Sequence, residues 1–77
     1  MNDPGNTVRE TIWLGGLRDE DGSKEVEHNL IQVDGVKDVA VSLDDGAVTV
    51  AYDASVISGD YIRRTLNSLG YSPYVRY

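Results

Sequence analysis

The densest cluster of charged side chains in the sequence is the acidic run Asp19-Glu20-Asp21, which is followed by a glycine. Carboxylate oxygens suit hard cations such as Ca²⁺, Mg²⁺ and Mn²⁺, but a calcium site needs about six oxygens, and the late bidentate glutamate of a calcium loop is missing. Carboxylates also stabilise the start of a helix. Two interpretations of Asp19, Glu20 and Asp21 therefore stay open: weak binding of Ca²⁺, Mn²⁺ or Zn²⁺, and, as the favoured one, a solvated acidic loop before a helix.

Thiol chemistry is excluded by composition, because the sequence contains no cysteine. Disulfides, thiolate metal ligands and thiol nucleophiles are therefore ruled out. The single histidine, His28, lies off the apolar stripe of its predicted helix, and we interpret it as a surface residue. We find no Ser–His–Asp arrangement, no phosphate-cradling glycine motif and no confined pair of carboxylates. The sequence thus predicts a protein that is not an enzyme and has no cofactor.

The charge balance is acidic, with 13 Asp and Glu against 7 Lys and Arg and a net charge of −6. A field of that sign repels phosphate backbones and anionic membrane surfaces. No apolar run approaches the roughly 20 residues that span a bilayer, and the first six residues do not resemble a signal peptide. We therefore expect a cytoplasmic protein that binds no nucleic acid and does not insert into a membrane.

The spacing of apolar residues predicts one domain over residues 7–77, preceded by a disordered tail over residues 1–6. Alternation indicates strands and i, i+4, i+7 spacing indicates helices, and the order is βαββαβ. Asp21 or Ser23 is expected to cap the first helix and Ser58 the second. Gly70 ends the second helix, and Pro73 favours an edge position for a short last strand over 71–77.

An internal repeat supports this order. A shift of thirty-six residues places Ile12 on Val48 and Val26 on Ile62, so that strands and helices superpose apolar on apolar. Two βαβ units packed together would give an α+β, ferredoxin-like fold, with a four-stranded antiparallel sheet under two helices on one face. The predicted core consists of Ile12, Leu14, Leu17, Val26, Leu30, Val33, Val39, Val41, Val48, Val50, Ile62, Leu66 and Leu69.

Five segments, spread without a gap over most of residues 7–75, carry a resemblance to the heavy-metal-associated (HMA) domain family. They are 11–17 (TIWLGGL), 26–30 (VEHNL), 34–39 (DGVKDV), 48–53 (VTVAYD), and the second helix with its Gly70-Tyr71 exit. The resemblance implies a relation to small metal carriers and to the N-terminal domains of metal-pumping ATPases and mercuric reductases. Copper, zinc, cadmium and mercury are the metals of that family.

The family's metal loop, Gly-Met-x-Cys-x-x-Cys, aligns with a stretch that has lost its ligands. By register, Leu17 stands for the methionine, and Asp19 and Gly22 stand for the two cysteines, while Tyr71 matches a family tyrosine beside the loop. A carboxylate is a hard donor and glycine has no side-chain donor, whereas Cu(I) prefers soft thiolates. We expect tight binding of Cu(I) or Hg(II) at this loop to be absent.

Because the chain resembles the family but lacks its metal ligands, we expect a docking or regulatory interaction module in metal homeostasis. Its partner would be a protein, such as a metal-transport protein, and the chain would be a monomer or weak homodimer. The acidic loop is one candidate surface. Trp13, on the sheet face opposite Ile12, is the other, with structural packing against Arg or Tyr side chains as the alternative. A hard-metal site at the acidic run, or a small-ligand-sensing dimer, remains as a different function.

Overall fold

All six predicted elements form, in the predicted order, in a computed structural model that describes residues 6–74. The elements are β1 (Thr7–Gly15), α1 (Glu20–Ile31), β2 (Val36–Ser42), β3 (Ala47–Asp53), α2 (Gly59–Ser68) and β4 (Ser72–Tyr74). Residues 1–5 of the predicted tail and residues 75–77 of the predicted last strand lie outside the described residues. Asn6, the first described residue, accepts a hydrogen bond at its carbonyl from the N–H of Ala54 at 2.8 Å.

The four strands form one antiparallel sheet in the order β2-β3-β1-β4. In the register, Ile12 lies opposite Val48, in agreement with the repeat seen in the sequence. Pro73 lies on β4 at the edge of the sheet, which confirms its predicted position. The other edge, β2, has a register shift between Val36 and Asp38, so its pairing with β3 is irregular there.

The core lies between the sheet and the two helices, as the fold prediction requires. Ten of the thirteen predicted core residues are buried, and Val33, Val41 and Leu69 are only half-buried. Val33 and Leu69 come after the last residues of α1 and α2, so the helical stripe no longer turns them inward. Tyr52 was not among the predicted core residues. It is only 6% exposed, because it lies two residues after Val50 and therefore on the same, inward face of β3.

The caps of the helices follow from local backbone geometry. Ser58 caps α2 through an Oγ that accepts from the N–H of Tyr61 at 3.2 Å, and Gly70 follows the helix with φ 101°, both as predicted. The prediction for α1 was wrong, because its cap is Asp19 and not Asp21 or Ser23. The backbone of Asp19 is extended and its side chain reaches the third helical N–H, the geometry that an N-cap requires.

The two ends of the sheet carry different connections. The loop from β1 to α1, the turn from β2 to β3 and the residue before β4 meet at one end, where the N–H of Leu14 donates to the carbonyl of Gly46 at 2.8 Å. At the other end, where the chain enters β1, the backbone N–H of Asp53 donates to the carbonyl of Gly35 at 2.8 Å. Since β4 runs antiparallel to β1, it leads away from the first end. Neither helix of residues 6–74 is long and apolar enough to cross a membrane.

Candidate functional site

The loop between β1 and α1 is anchored by one apolar side chain. Leu17 is 6% exposed and belongs to the core cluster, and its N–H bonds to the carbonyl of Leu14 at 3.3 Å. Gly16 before it has φ 99°, a conformation that residues with a side chain rarely adopt. The buried Leu17 therefore fixes where the chain turns into the helix.

Asp19, which the resemblance aligns with the family's first cysteine, caps α1. Its Oδ1 accepts a hydrogen bond from the N–H of Gly22 at 2.9 Å. Glu20 and Asp21 form the first turn of α1 and are exposed. Carboxylates at this end stabilise the helix because the unpaired N–H groups and the helix dipole are positive there.

Gly22, which the resemblance aligns with the family's second cysteine, lies next to the hydroxyl of Tyr71. A Cβ atom built on Gly22 would lie 2.6 Å from the Tyr71 hydroxyl, and 3.4 Å from both Oδ1 of Asp19 and Cδ1 of Leu17. The four positions that the resemblance singled out, residues 17, 19, 22 and 71, therefore lie together in space. None of the four offers a sulfur ligand.

Tyr71 is half-buried and packs against the core. Its hydroxyl donates to Oε1 of Glu25 at 3.4 Å. Burial raises the pKa of Tyr71, and the negative charge of Glu25, the hydrogen bond to Glu25 and the charge of Asp19 raise that pKa further. The phenol is therefore neutral at physiological pH and presents its hydrogen-bond donor to Glu25.

The acidic run gains no metal-ligand set from the described part of the chain. Across residues 6–74 there is no group of three or more His, Asp or Glu side chains that could hold a metal ion. Asp19, Glu20 and Asp21 instead line a concave surface with Arg18 and Leu43. The adjoining concave surface is lined by Glu20, Ser23, Lys24, Glu27, Val41, Ser42, Leu43 and Asp44. We call these two together the acidic loop face.

His28 lies on the exposed part of α1, as predicted. Its ring Nε2 pairs with the side-chain Nε2 of Gln32 at 2.7 Å, one helical turn away. The imidazole therefore interacts with the residue that caps the C-terminal end of its own helix.

Trp13 lies on the face of the sheet without helices, as predicted. It is half-buried, and its cross-strand neighbours are Ala47 on β3 and Tyr74 on β4. Because Tyr74 lies directly opposite Trp13 in the register, it is on the same face, and it is 50% exposed. Thr11 and Thr49 continue the face with a hydroxyl–hydroxyl bond of 3.0 Å. The Trp13 face and the acidic loop face are separate surfaces.

A polar cluster at the opposite end of the sheet was not foreseen. The hydroxyl of Tyr52 donates to Oε1 of Glu10 at 3.0 Å, and Arg63 forms an ion pair and hydrogen bond with the other oxygen of Glu10. Burial, followed by the bond to Glu10, raises the pKa of Tyr52. The signal in the sequence was Glu10 itself, which lies two residues before Ile12 and so on the inward face of β1, where a carboxylate requires partners.

The fold and the loop define a class, a ferredoxin-like α+β domain with its candidate site in the loop between the first strand and first helix. The heavy-metal-associated domain model matches residues 11–72, and the chain belongs to that family. Human copper-transporting ATPase 2 is 31% identical over 77 residues, which cover 94% of this chain. The chain spans only about 5% of the length of that relative.

Two solved structures illustrate the likeness. The CopZ metallochaperone superposes with a TM-score of 0.84 at 27% identity, over 87% of this chain and all of the other. Oxidised MerP from Ralstonia metallidurans superposes with a TM-score of 0.85 at 21% identity, over 92% of this chain and 99% of the other, and supports the fold alone. The predicted fold and family are thus confirmed for a chain without cysteine.

Proposed function

We propose that this chain is a docking or regulatory module of a metal-homeostasis system and that it works without holding a soft metal at its loop. The observation that supports the proposal is an HMA scaffold without cysteine, in which Asp19 caps a helix and Gly22 has no side chain at the two positions that the resemblance aligns with the family's ligands. We propose that it is non-catalytic, as HMA domains generally are, and that it acts in the cytoplasm.

The chemistry of the loop supports a loss of metal transfer. Handing Cu(I) between two proteins depends on soft thiolate donors. A carboxylate at residue 19 is a hard donor, and one of its oxygens is already bonded to the N–H of Gly22. Since residue 22 has no donor either, this end of the domain can recognise a partner only by its shape and charge.

The acidic loop face is the preferred docking surface. It carries the carboxylates of Asp19, Glu20, Asp21, Glu27 and Asp44, with Arg18 and Lys24 as its cations and Leu43 as an apolar residue between them. A negative surface attracts a positively charged partner surface and speeds the encounter. The partner we propose is a cysteine-containing HMA domain of a metal-transport protein with basic residues around its own loop.

A titration of the ¹⁵N-labelled chain with such a partner, from a copper-transporting ATPase or metallochaperone of the same organism, tests the proposal. We expect NMR shifts over residues 18–22 and 43–45. The double substitution Glu27→Lys and Asp44→Lys should weaken binding at least tenfold, since each reverses a charge in the interface. Asp34→Lys is the matched control, because Asp34 is an exposed carboxylate near the opposite end of the sheet.

The outcome separates the two candidate surfaces. Shifts confined to Trp13 and Tyr74 would move the docking site to the helix-free face, and Tyr74→Ser should then weaken binding. Spectra that do not change with any metal-transport HMA domain would refute the proposed function.

A further inference from the structure

A cavity of about 640 Å³ lies between the C-terminal end of α1 and the N-terminal end of α2, away from the acidic loop face. Its walls come from the end of α1 with the turn after it and from the start of α2 with the segment before it, and they include Asn29, Gln32, Asp34, Val56, Ile57 and Tyr61. We call it the helix-end cavity. We propose that it binds an arginine side chain presented by an extended segment of a partner protein. This gives the domain a second docking site beyond the proposed function.

The two walls of the helix-end cavity are joined at Gly35. A Cβ atom built on Gly35 would lie 2.8 Å from Cγ2 of Ile57 and 3.0 Å from Cγ1 of Val56, so the turn after α1 packs closely on the segment before α2. The backbone N–H groups of Val56 and Ile57 bond to the carbonyl of Asp53 at 3.0 and 3.1 Å. The N–H of Asp53 in turn bonds to the carbonyl of Gly35 at 2.8 Å. The walls are therefore fixed before a ligand arrives, which lowers the cost of binding.

The polar wall of the cavity offers hydrogen-bond acceptors. Nδ2 of Asn29 donates to the carbonyl of Glu25 at 2.8 Å, and Nε2 of Gln32 donates to the carbonyl of His28 at 3.1 Å. Because both amide nitrogens are engaged within α1, the amide oxygens remain as acceptors. Asp34 adds a carboxylate, and within residues 6–74 no Lys or Arg forms an ion pair with it. The C-terminal end of α1 is also the negative end of the helix dipole. This wall therefore favours a cation with several N–H donors.

The other wall is apolar and aromatic. Tyr61 is 53% exposed and Val56 is 58% exposed, so two of the five exposed large apolar side chains of residues 6–74 line this one cavity. Ile57 is half-buried and packs against the core beside them. An aromatic ring across from a carboxylate suits a cation, because the face of the ring attracts positive charge.

An arginine side chain matches this lining better than a lysine side chain. Its planar guanidinium carries five N–H donors that can meet a carboxylate and amide oxygens together, and it stacks on aromatic rings. A small-molecule site encloses most of its ligand, whereas the exposed Val56 and Tyr61 leave this cavity open to solvent on one side. The occupant is therefore a side chain carried by a larger partner, whose neighbouring apolar residues cover Val56 and Tyr61.

Titration of the ¹⁵N-labelled chain with the peptide Ac-Ala-Val-Arg-Val-Ala-NH₂ tests the proposal. We expect NMR shifts over residues 29–35 and 55–61. The same peptide with citrulline keeps the shape of arginine but has no charge, and it should bind about fivefold more weakly because an exposed ion pair is lost. Arginine amide without flanking residues should bind about tenfold more weakly, because it leaves the apolar wall uncovered.

Substitutions in the cavity give the second readout. Asp34→Asn should weaken peptide binding about fivefold. Tyr61→Leu keeps an apolar side chain but removes the aromatic face, and it should weaken binding about threefold. Asp44→Asn is the matched control, because Asp44 is an exposed carboxylate at the opposite end of the sheet, and it should leave peptide binding unchanged.

Equal affinities for the arginine and citrulline peptides, or for the peptide and arginine amide, would overturn the proposal. Shifts outside the cavity, no saturation at millimolar peptide, or full binding by Asp34→Asn would do the same. The peptide contains no metal-transport domain and its site does not include the acidic loop face, so this failure is distinct from a failure of the partner titration. Asp34→Lys, the control in that titration, should abolish binding of the arginine peptide.

Discussion

The cap of α1 allows a direct test of what Asp19 does for the stability of the chain. Its Oδ1 satisfies the N–H of Gly22 at 2.9 Å, and its backbone has the extended conformation of an N-cap residue. Replacing such a cap by alanine costs about 1 kcal/mol, within a range of about 0.5–2 kcal/mol. Because the site is exposed, water can reach the freed N–H, and we expect Asp19→Ala to cost about 1 kcal/mol and not the upper value.

Two matched variants separate the hydrogen bond from the charge. Asp19→Asn keeps an oxygen that can accept from Gly22 and should cost less than about 0.5 kcal/mol. Asp21→Ala removes the same charge from the same turn without removing the cap, and should cost about 0.3–0.5 kcal/mol through the helix dipole alone.

Urea and thermal unfolding give the comparison. A loss of about 1 kcal/mol lowers the Tm of a domain of this size by roughly 4–8 °C. Asp19→Ala should be the least stable of the three variants. If Asp19→Ala is no less stable than Asp21→Ala, Asp19 does not cap the helix and the reasoning about the first ligand position fails.

Three further outcomes are expected. Gly59→Ala should destabilise the chain by about 1–2 kcal/mol in thermal unfolding, because its Cβ would lie 2.6 Å from Oε1 of Glu10 and disturb charge-assisted bonds. Leu30→Ala should cost about 2–5 kcal/mol, since Leu30 is fully buried, while the adjacent and exposed Ile31→Ala should cost about 0.5 kcal/mol; denaturant melts decide. The raised pKa of Tyr52 means that the folded state holds the phenolic proton more tightly, so this stability is present below the usual pKa near 10 and is lost as pH rises above it. Above pH 9 the melting temperature should therefore fall less steeply with rising pH for Tyr52→Phe than for the unsubstituted chain. An equal slope for the two would contradict the raised pKa of Tyr52.

The fold could be predicted from the sequence because the spacing of apolar residues agreed with the residues that begin and end helices. The stripe of Ile62 and Leu66 lies between a serine that can cap and a glycine that can end a helix, so α2 had one consistent solution. The start of α1 was ambiguous, because Asp19, Asp21 and Ser23 are all residues that cap helices. The backbone decides between them, since Asp19 is extended and its Oδ1 accepts from the N–H of Gly22, whereas Asp21 and Ser23 already lie within the helix.

The contact of Tyr71 with Gly22 could be foreseen only in part. The resemblance placed Tyr71 beside the loop, but a glycine gives no sign of which atom fills the space it leaves. The contact joins residues far apart in sequence, and its existence depends on the distance between α1 and the segment before β4. The pairing of Glu10 with Arg63 is hidden for the same reason, because it depends on how α2 lies over β1.

The two ends of the described chain bear on how the domain can be attached to something else. The chain enters β1 at the end of the sheet away from the loop, and β4 leads back toward that end. The first described residue, Asn6, therefore lies at the end of the sheet opposite Leu17, whereas Tyr74 pairs with Trp13 and lies nearer the loop. Molecules immobilised through the segment that precedes Asn6 would direct their acidic loop faces outward, and a row of them on one support could be reached by a partner in solution without rearrangement.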